Sequence, residues 1–591
     1  MSDTRKQLNE TTDASYANNT SDIAADWSDN DVPPRAVVKI APGLVSGVIE
    51  QLPNGAQCYC FRGIPYGKPP IGKLRFQAPQ PLDKFPTEII DCSKDRPGCY
   101  SVDNYLPNDR MSEDCLNLNV YTSNISIKND AMPVMIWIHG GGFVGGSAQS
   151  SMYCPIHLVQ EGVVVVTVNY RLGPLGFLCM PAVGIHGNMG LKDQRMSFCW
   201  VSKHIRQFGG DPSNVTIFGH SAGAASVHFH YLSETSRNYF HKAIAQSGTV
   251  FNQWVLQKNP DGRARKLATL LGCKSSDNDR MVYETLMNAT PQNLTDLQYQ
   301  VFTDEERLVL VNFPFTPVIE VHGLNAEDPV VTDNPLKLIQ KRFTTDIPFI
   351  MGITNEEGVG LANQVLESLA VYQNNLGQHI IPTTLNIKND LDREEALHSI
   401  KRYFFDDAEL STETMESMLQ ILGDNINKFA GYLAAELHFI HQSSPLYFYV
   451  FSYMSELNKL RELARTPSNL PGVAHGDDLC YLFSSSFFST ESIDPAGQAC
   501  KFRQTMCKLW TNFAKSGNPT PNNDILGFRW PTINGTEGTK PNFELLAVEL
   551  NDASKIINNP FEGRFNFWKA LFTRYNECHL KPTFPEENTD C

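Results

Sequence analysis

Four short stretches of this chain carry the residue types of acyl-transfer chemistry. The first is Gly219-His-Ser-Ala-Gly223, which follows the apolar run Val215 to Phe218 and precedes a run of small residues. A strand that turns sharply into a helix through two glycines would hold Ser221 exposed on a strained bend, the context of a nucleophile elbow. The pentapeptide alone decides little, since it should arise by chance in roughly one chain of this length in six. A serine hydroxyl is a poor nucleophile near neutrality. It needs a base, a carboxylate to orient that base, and donors for the oxyanion. His139-Gly-Gly-Gly-Phe143 also follows an apolar run, and the N–H groups of Gly141 and Gly142 could serve as donors beside that of Ala222. Glu356 and Glu357 both follow the run ending at Ile353. His475 lies in a loop after the run Leu446 to Phe451. The order serine, acid, histidine is that of α/β-hydrolases. From the residues alone either glutamate could be the acid, and His475 is one of 15 histidines.

The elements needed to position these groups can be read along the chain. Ala36 to Leu52 alternates apolar and polar residues about a Pro-Gly turn, and Gln57 to Gly63 continues in the same style, which predicts an antiparallel meander. The pattern then changes to apolar runs of five to seven residues, at 133–138, 163–168, 214–218, 347–353 and 446–451, each followed by a polar or glycine-rich loop. Such runs predict parallel strands buried on both faces, with ligands at their carboxyl ends. Amphipathic stretches such as Gln194 to Phe208 predict flanking helices, and the more polar helical region 363–444 predicts a cap. The expected fold class is therefore α/β: a large, mostly parallel sheet flanked by helices, with a meander before it and a helical cap. No linker composition divides it, so residues 35–580 are expected to form one folded unit. Residues 1–34 and 581–591 read as polar tails.

Bulk properties limit the function. A net charge of -15, from 49 basic against 64 acidic residues, argues against a nucleic-acid surface. Gly162 to Met180 is the longest apolar region, but Asn169, Arg171 and its glycines and prolines suit a buried strand and loop better than a transmembrane span. The first 34 residues lack the apolar core of a signal peptide, so the expected location is cytoplasmic; the sequons at Asn124 and Asn293 would suit a secreted alternative. Among 14 cysteines, Cys179, Cys199 and Cys507 sit in apolar segments as expected free thiols, whereas Cys99 and Cys115 bracket a loop that a disulfide could close. No His/Cys spacing suggests a metal, and the chemistry needs no cofactor.

Further motifs carry a resemblance. Phe61 to Phe76, Ser112-Glu-Asp-Cys-Leu116, His139 to Phe143, Asn169-Tyr-Arg-Leu-Gly173, Gly187 to Gln194 and Phe208-Gly-Gly-Asp-Pro212 are followed by the serine elbow, Asn355-Glu-Glu-Gly358, Ala474-His-Gly-Asp-Asp478 and Phe513 to Pro519. In this order they resemble the type-B carboxylesterases, the family that includes the cholinesterases, and look closest to its insect alpha-esterase branch. The resemblance implies an α/β-hydrolase fold and a Ser221–His475–Glu357 triad, because the family's acid immediately precedes the glycine. It also implies a disulfide-capable loop at Cys99 and Cys115, Ser226 as a supporting hydroxyl, and a pocket including Phe143, Trp254, Phe313 and Phe315. The sequence departs from the cholinesterases at three places. His220 stands where they carry glutamate, their choline-binding tryptophan falls near Tyr105, and Gly360 and Leu361 replace aromatics. A quaternary ammonium needs an aromatic cage, so the expected substrates are small to medium apolar esters rather than choline esters. The alternatives are a protein that sequesters esters or organophosphates with slow turnover, and a non-catalytic adhesion-type relative.

Overall fold

Strands that are apolar at successive positions must be covered on both sides, and the central strands of this protein are. The structure, a computed structural model, describes residues 34–102, 110–126, 130–320, 328–341, 346–522, 525–533 and 543–576. The expected polar tails, apart from Pro34, and Tyr105 lie outside them. The strands are β1 (Arg35–Ile40), β2 (Gly43–Gln51), β3 (Gln57–Pro65), β4 (Ile89–Asp91), β5 (Asn117–Thr122), β6 (Met132–Ile138), β7 (Val164–Val168), β8 (Cys179–Met180), β9 (Ile185–His186), β10 (Gly210–His220), β11 (Lys242–Gln246), β12 (Phe349–Thr354), β13 (Leu446–Phe451), β14 (Leu546–Leu550) and β15 (Lys555–Asn558). Thirteen of them form one sheet in the order β1-β2-β3-β5-β7-β6-β10-β11-β12-β13-β14-β15, with β4 beside β2; β8 and β9 pair separately. Pairing is parallel from β7 through β14, whereas β2, β3, β5 and β7 pair antiparallel, as does β15 with β14. The meander and the mostly parallel sheet expected from the sequence are both present.

Side chains alternate between two cores along each central strand. Val134, Ile136 and Ile138 of β6 join Val164, Val166 and Val168 of β7, Ile217 of β10 and Ala243 of β11 on one face. Met135, Trp137, Phe218 and Ile244 point to the other. The first face is covered by helices α1 (Met189–His204), α2 (Ala222–Leu232) and, beyond the cap helix α3 (Met415–Gly423), α4 (Phe429–His441). The second is covered by α5 (Gln498–Ser516) through Phe502, Met506, Trp510 and Phe513. A third cluster, including Val365, Met418, Leu419 and Phe572, is the interior of the helical cap.

The strand order reverses at β6, whose two neighbours are β7, next in the chain, and β10. In open α/β sheets such a reversal leaves a crevice at the carboxyl ends of the strands. Two of the sequence motifs are fixed near it. The carboxylate of Asp193 on α1 accepts from the backbone N, Nε and Nη2 of Arg171 at 3.0, 2.7 and 2.7 Å. Tyr170 donates its hydroxyl to the carbonyl of His139 at 2.8 Å, tying the same loop to the end of β6. Cys99 and Cys115 form a disulfide, and Cys179, Cys199 and Cys507 are free thiols. Among the described residues no helix is long and apolar enough to cross a membrane.

Several histidines lie deep in this scaffold. Burial holds His139 down to about 4 and His230 and His438 to about 3, against an ordinary 6.5. Each is therefore neutral when folded but takes up a proton below pH 6.5 once unfolded. Their contribution to stability is complete above pH 6.5 and is lost as pH falls through their folded values. The thermal midpoint, followed by circular dichroism at constant ionic strength, should fall by about 5 °C or more between about pH 7 and about pH 4.5. A flat profile would contradict the burial of these side chains.

Candidate active site

Ser221 stands at the carboxyl end of β10 with φ 56° and ψ -121°, a strained conformation for a residue with a side chain. The strain is sustained by close packing. A Cβ placed on Gly223 would lie 2.0 Å from the carbonyl oxygen of Ile138, the last residue of β6. Serine's own N–H donates to the carbonyl of Gln246 at 2.9 Å, and its carbonyl accepts from Ala225 N at 2.9 Å, which starts α2. Ala222 is buried as the first residue of that helix, where N–H groups have no intrahelical partner.

The glycine loop at the end of β6 lies alongside. Gly140 passes so near the elbow that an added Cβ would lie 2.7 Å from His220 O and 3.1 Å from Ser221 Cβ. Gly141 and Gly142 have φ of 112° and 61° and line one cavity with Ser221, Glu357 and His475. His139 keeps its ring out of that cavity. It donates from Nδ1 to Gly140 O at 2.8 Å and stacks on Tyr170 at 4.4 Å between centroids.

The register of the parallel strands brings the other groups to the same edge. Gly219 pairs with Ile138, His220 with Gln246, Gln246 with Gly352, and Gly352 with Tyr449. One residue beyond β11 is Ser247, and three beyond β12 is Glu357. Glu357 is buried and accepts four hydrogen bonds. Ser247 Oγ at 2.6 Å and Thr354 N at 2.8 Å reach Oε1, while His475 Nδ1 at 2.7 Å and Asn427 Nδ2 at 2.9 Å reach Oε2. Burial works to raise its pKa, but the charge and bond of His475, the Ser247 hydroxyl and the Thr354 N–H outweigh it and hold the carboxyl at about 2. Glu356 points elsewhere, 3.5 Å from Lys428 Nζ. The neighbouring glycine has a physical cause too. A Cβ on Gly358 would lie 2.1 Å from Leu419 O of α3, so the acid's backbone is pressed against the cap helix.

His475 is partly open to the cavity, with 28% of its side chain exposed. His220 lies against it with ring centroids 4.4 Å apart and is kept neutral, first by burial and then by the neighbouring His475. The cavity measures about 520 Å³. Trp254, Phe313, Val311, Leu361 and Ile426 are among its walls, with Gly360 beside Leu361. Apart from Glu357, His475 and His220, no acidic or basic side chain lines it among the described residues.

Two of the expected pocket aromatics are not on that wall. Phe143, at φ 63°, turns into the core and packs on Phe177 at 5.2 Å, and Phe315 is fully buried in the same core. Ser226 is likewise not beside the acid. Its hydroxyl donates to Ala222 O at 2.9 Å and accepts from Gln194 Nε2 at 3.1 Å, joining α2 to α1. The hydroxyl against Glu357 is that of Ser247, which sequence reasoning does not single out. Its only signal is the short apolar run Ala243 to Ala245 ending in Gln-Ser-Gly after the elbow. Asn427 carries no local signal.

A larger cavity of about 550 Å³, bordered by Val250, Gln253, Val255 and Asn425, lies near this one and shares none of its lining residues. No serine, cysteine or histidine is among its described lining residues, so volume alone points away from the triad chemistry.

The model of the carboxylesterase family matches residues 34–568. The chain belongs to the carboxylesterase family. This carboxylesterase is 31% identical over 562 residues to venom carboxylesterase-6 of Apis mellifera, covering 92% of the present chain and 95% of the relative. It is 31% identical over 522 residues to the juvenile hormone esterase of Tribolium castaneum, with 85% and 86% covered. Among solved structures it is similar to the juvenile hormone esterase of Manduca sexta with OTFP covalently attached. That match has a TM-score of 0.79 at 24% identity, over 91% of this chain and all of that one. The shared fold is the α/β-hydrolase fold.

The packing of the elbow is directly testable. Gly223→Ala would force its methyl into the end of β6 and should cost about 3 kcal/mol or more of stability, read as a lower denaturation midpoint in urea. A variant as stable as the parent would mean that elbow and strand are not so close.

Proposed function

We propose that this carboxylesterase hydrolyses small to medium apolar esters through an acyl-enzyme, with Ser221, His475 and Glu357 as the triad. Ser221 Oγ attacks the ester carbonyl carbon as His475 Nε2 takes its proton, and the carbonyl π-electrons move to oxygen. The N–H groups of Gly141, Gly142 and Ala222 receive that oxyanion. Collapse of the tetrahedral intermediate breaks the bond to the alcohol oxygen, which takes the proton from His475. Water then repeats the cycle on the acyl-enzyme, releasing the acid and restoring the serine. Glu357, ionised at about 2, fixes the imidazole with Nδ1–H toward itself and Nε2 free, and stabilises the imidazolium as it forms.

The observation that carries this reading is the meeting of Ser221, the glycine loop and the His475–Glu357 pair, at 2.7 Å, in a single cavity. Its apolar walls favour uncharged acyl and alcohol groups. Trp254 and Phe313 pack edge to face within those walls, with ring centroids 5.7 Å apart.

The test is hydrolysis of a chromogenic ester series of increasing acyl length. Ser221→Ala and His475→Ala should each lower kcat by about 10⁴-fold or more while leaving the fold intact by circular dichroism. Full activity in either variant would sink the assignment. A stoichiometric burst followed by very slow release in the parent would favour sequestration over turnover.

A further inference from the structure

Three of the donors that Glu357 receives come from the sheet edge and the His475 loop. The fourth comes from a defect in a helix. Between α3 and α4 the chain stays helical, but Asp424–Lys428 forms a π-turn. Such single turns insert an extra residue and rotate the side chains that follow. Here the turn places Ile426 on the cavity wall, points Asn427 at Glu357, and sends Lys428 to the carbonyl of Asn355. Asn427 is only 1% exposed.

The orientation of its amide is forced. Oδ1 accepts from Asn252 Nδ2 at 2.6 Å, and Asn252 is itself fixed because its Oδ1 accepts from the backbone N and hydroxyl of Thr249 at 2.7 and 2.9 Å. Turning either amide over would set oxygen against oxygen. Asn427 Nδ2 therefore donates to Glu357 Oε2 at 2.9 Å, the same oxygen that His475 Nδ1 reaches at 2.7 Å, and the two nitrogens lie 3.0 Å apart. Both are donors, so neither bonds to the other. They share one acceptor.

We propose that Asn427 is a positioning residue for the catalytic base: its amide takes up part of the Glu357 charge and, lying beside the imidazole, restrains the basicity of His475. The inference rests on the triad reading above. The amide draws charge from the oxygen that would stabilise the imidazolium, and its own N–H presents positive charge to Nδ1–H. Both effects favour the neutral imidazole, the form able to take the proton from Ser221. Other charged or titratable groups also face this pair. His220 lies across the ring, Glu356 is bridged to Lys428, and Asp478 is bound by Gln246 and Tyr449. Behind the turn, Asp424 accepts from Trp568 and faces Arg564. Replacing the amide by an alkyl group removes none of them.

The test is the pH profile of kcat/KM for the full chain, its Asn427→Ala variant and its near-isosteric Asn427→Leu variant, on one chromogenic ester. The acid limb should move to higher pH by about 0.5 unit or more in the variants. The Nδ1–H resonance of His475, to be followed by proton NMR in the resting enzyme, should move with pH in the same direction, independently of turnover. Should the alanine variant fail to fold, the leucine variant, which refills the volume, carries the measurement. An acid limb and resonance that stay in place, or move to lower pH, in a folded variant overturn the proposal. The two readings fail differently. If His475→Ala keeps full activity, the triad itself is wrong; if that variant is inactive while Asn427 variants titrate like the parent, only the role of Asn427 falls.

Discussion

A carboxylate shut away from water stays charged only if the protein replaces its hydration, and the arrangement around Glu357 follows from that requirement. Isolated burial would push the proton on, leaving a neutral acid unable to hold an imidazolium. Four donors meet this cost, and they arrive from different parts of the fold: the backbone at the end of β12, the residue after β11, the His475 loop and the π-turn of the cap. The sheet, the loop and the cap must therefore all be in place before the acid is. None of the donors is close to Glu357 in sequence except Thr354. The candidate site is thus a product of the complete fold rather than of a local motif.

The parallel register makes that convergence possible. Neighbouring strands end level with one another, so residues just past β6, β10, β11 and β12 arrive within one crevice. This also explains which features are legible in the sequence. The serine elbow and the glycine loop are strand-to-turn chemistry, set by adjacent residues, so both stand out in the amino-acid order itself. The buried strands declare themselves because both faces are apolar. The choice between Glu356 and Glu357 is not legible from the residues, since it rests on which carboxylate meets His475, Ser247 and Asn427, all distant in sequence. The expectation for Phe143 and Phe315 fails because a phenylalanine's identity does not say which side of a loop it occupies. Ser247 and Asn427 escape notice for a related reason. A strand with only three apolar residues and a one-turn change of helix geometry leave little trace in composition.

His220 shows how one substitution alters the character of a site without altering its plan. A buried, neutral ring packed on His475 contributes shape and contact where a carboxylate would contribute charge. Gly360 and Leu361 also stand on the cavity wall, small and aliphatic beside its aromatic residues. Trp254, Phe313 and Ile426 give the same wall a largely apolar surface.

The parts of this cavity differ in how freely they can be exchanged. Around Ser221 the contacts are backbone against backbone: any side chain at Gly140 or Gly223 meets a carbonyl oxygen within 2.7 Å. Val311, Leu361 and Leu463 also line the cavity, and the structure records no such backbone contact for them. Substitution is thus closed off beside Ser221, where backbone meets backbone, and less constrained at the outer wall. On the proposed reading, point substitutions at the outer wall would alter which esters fit while the packing around Ser221 stays as it is.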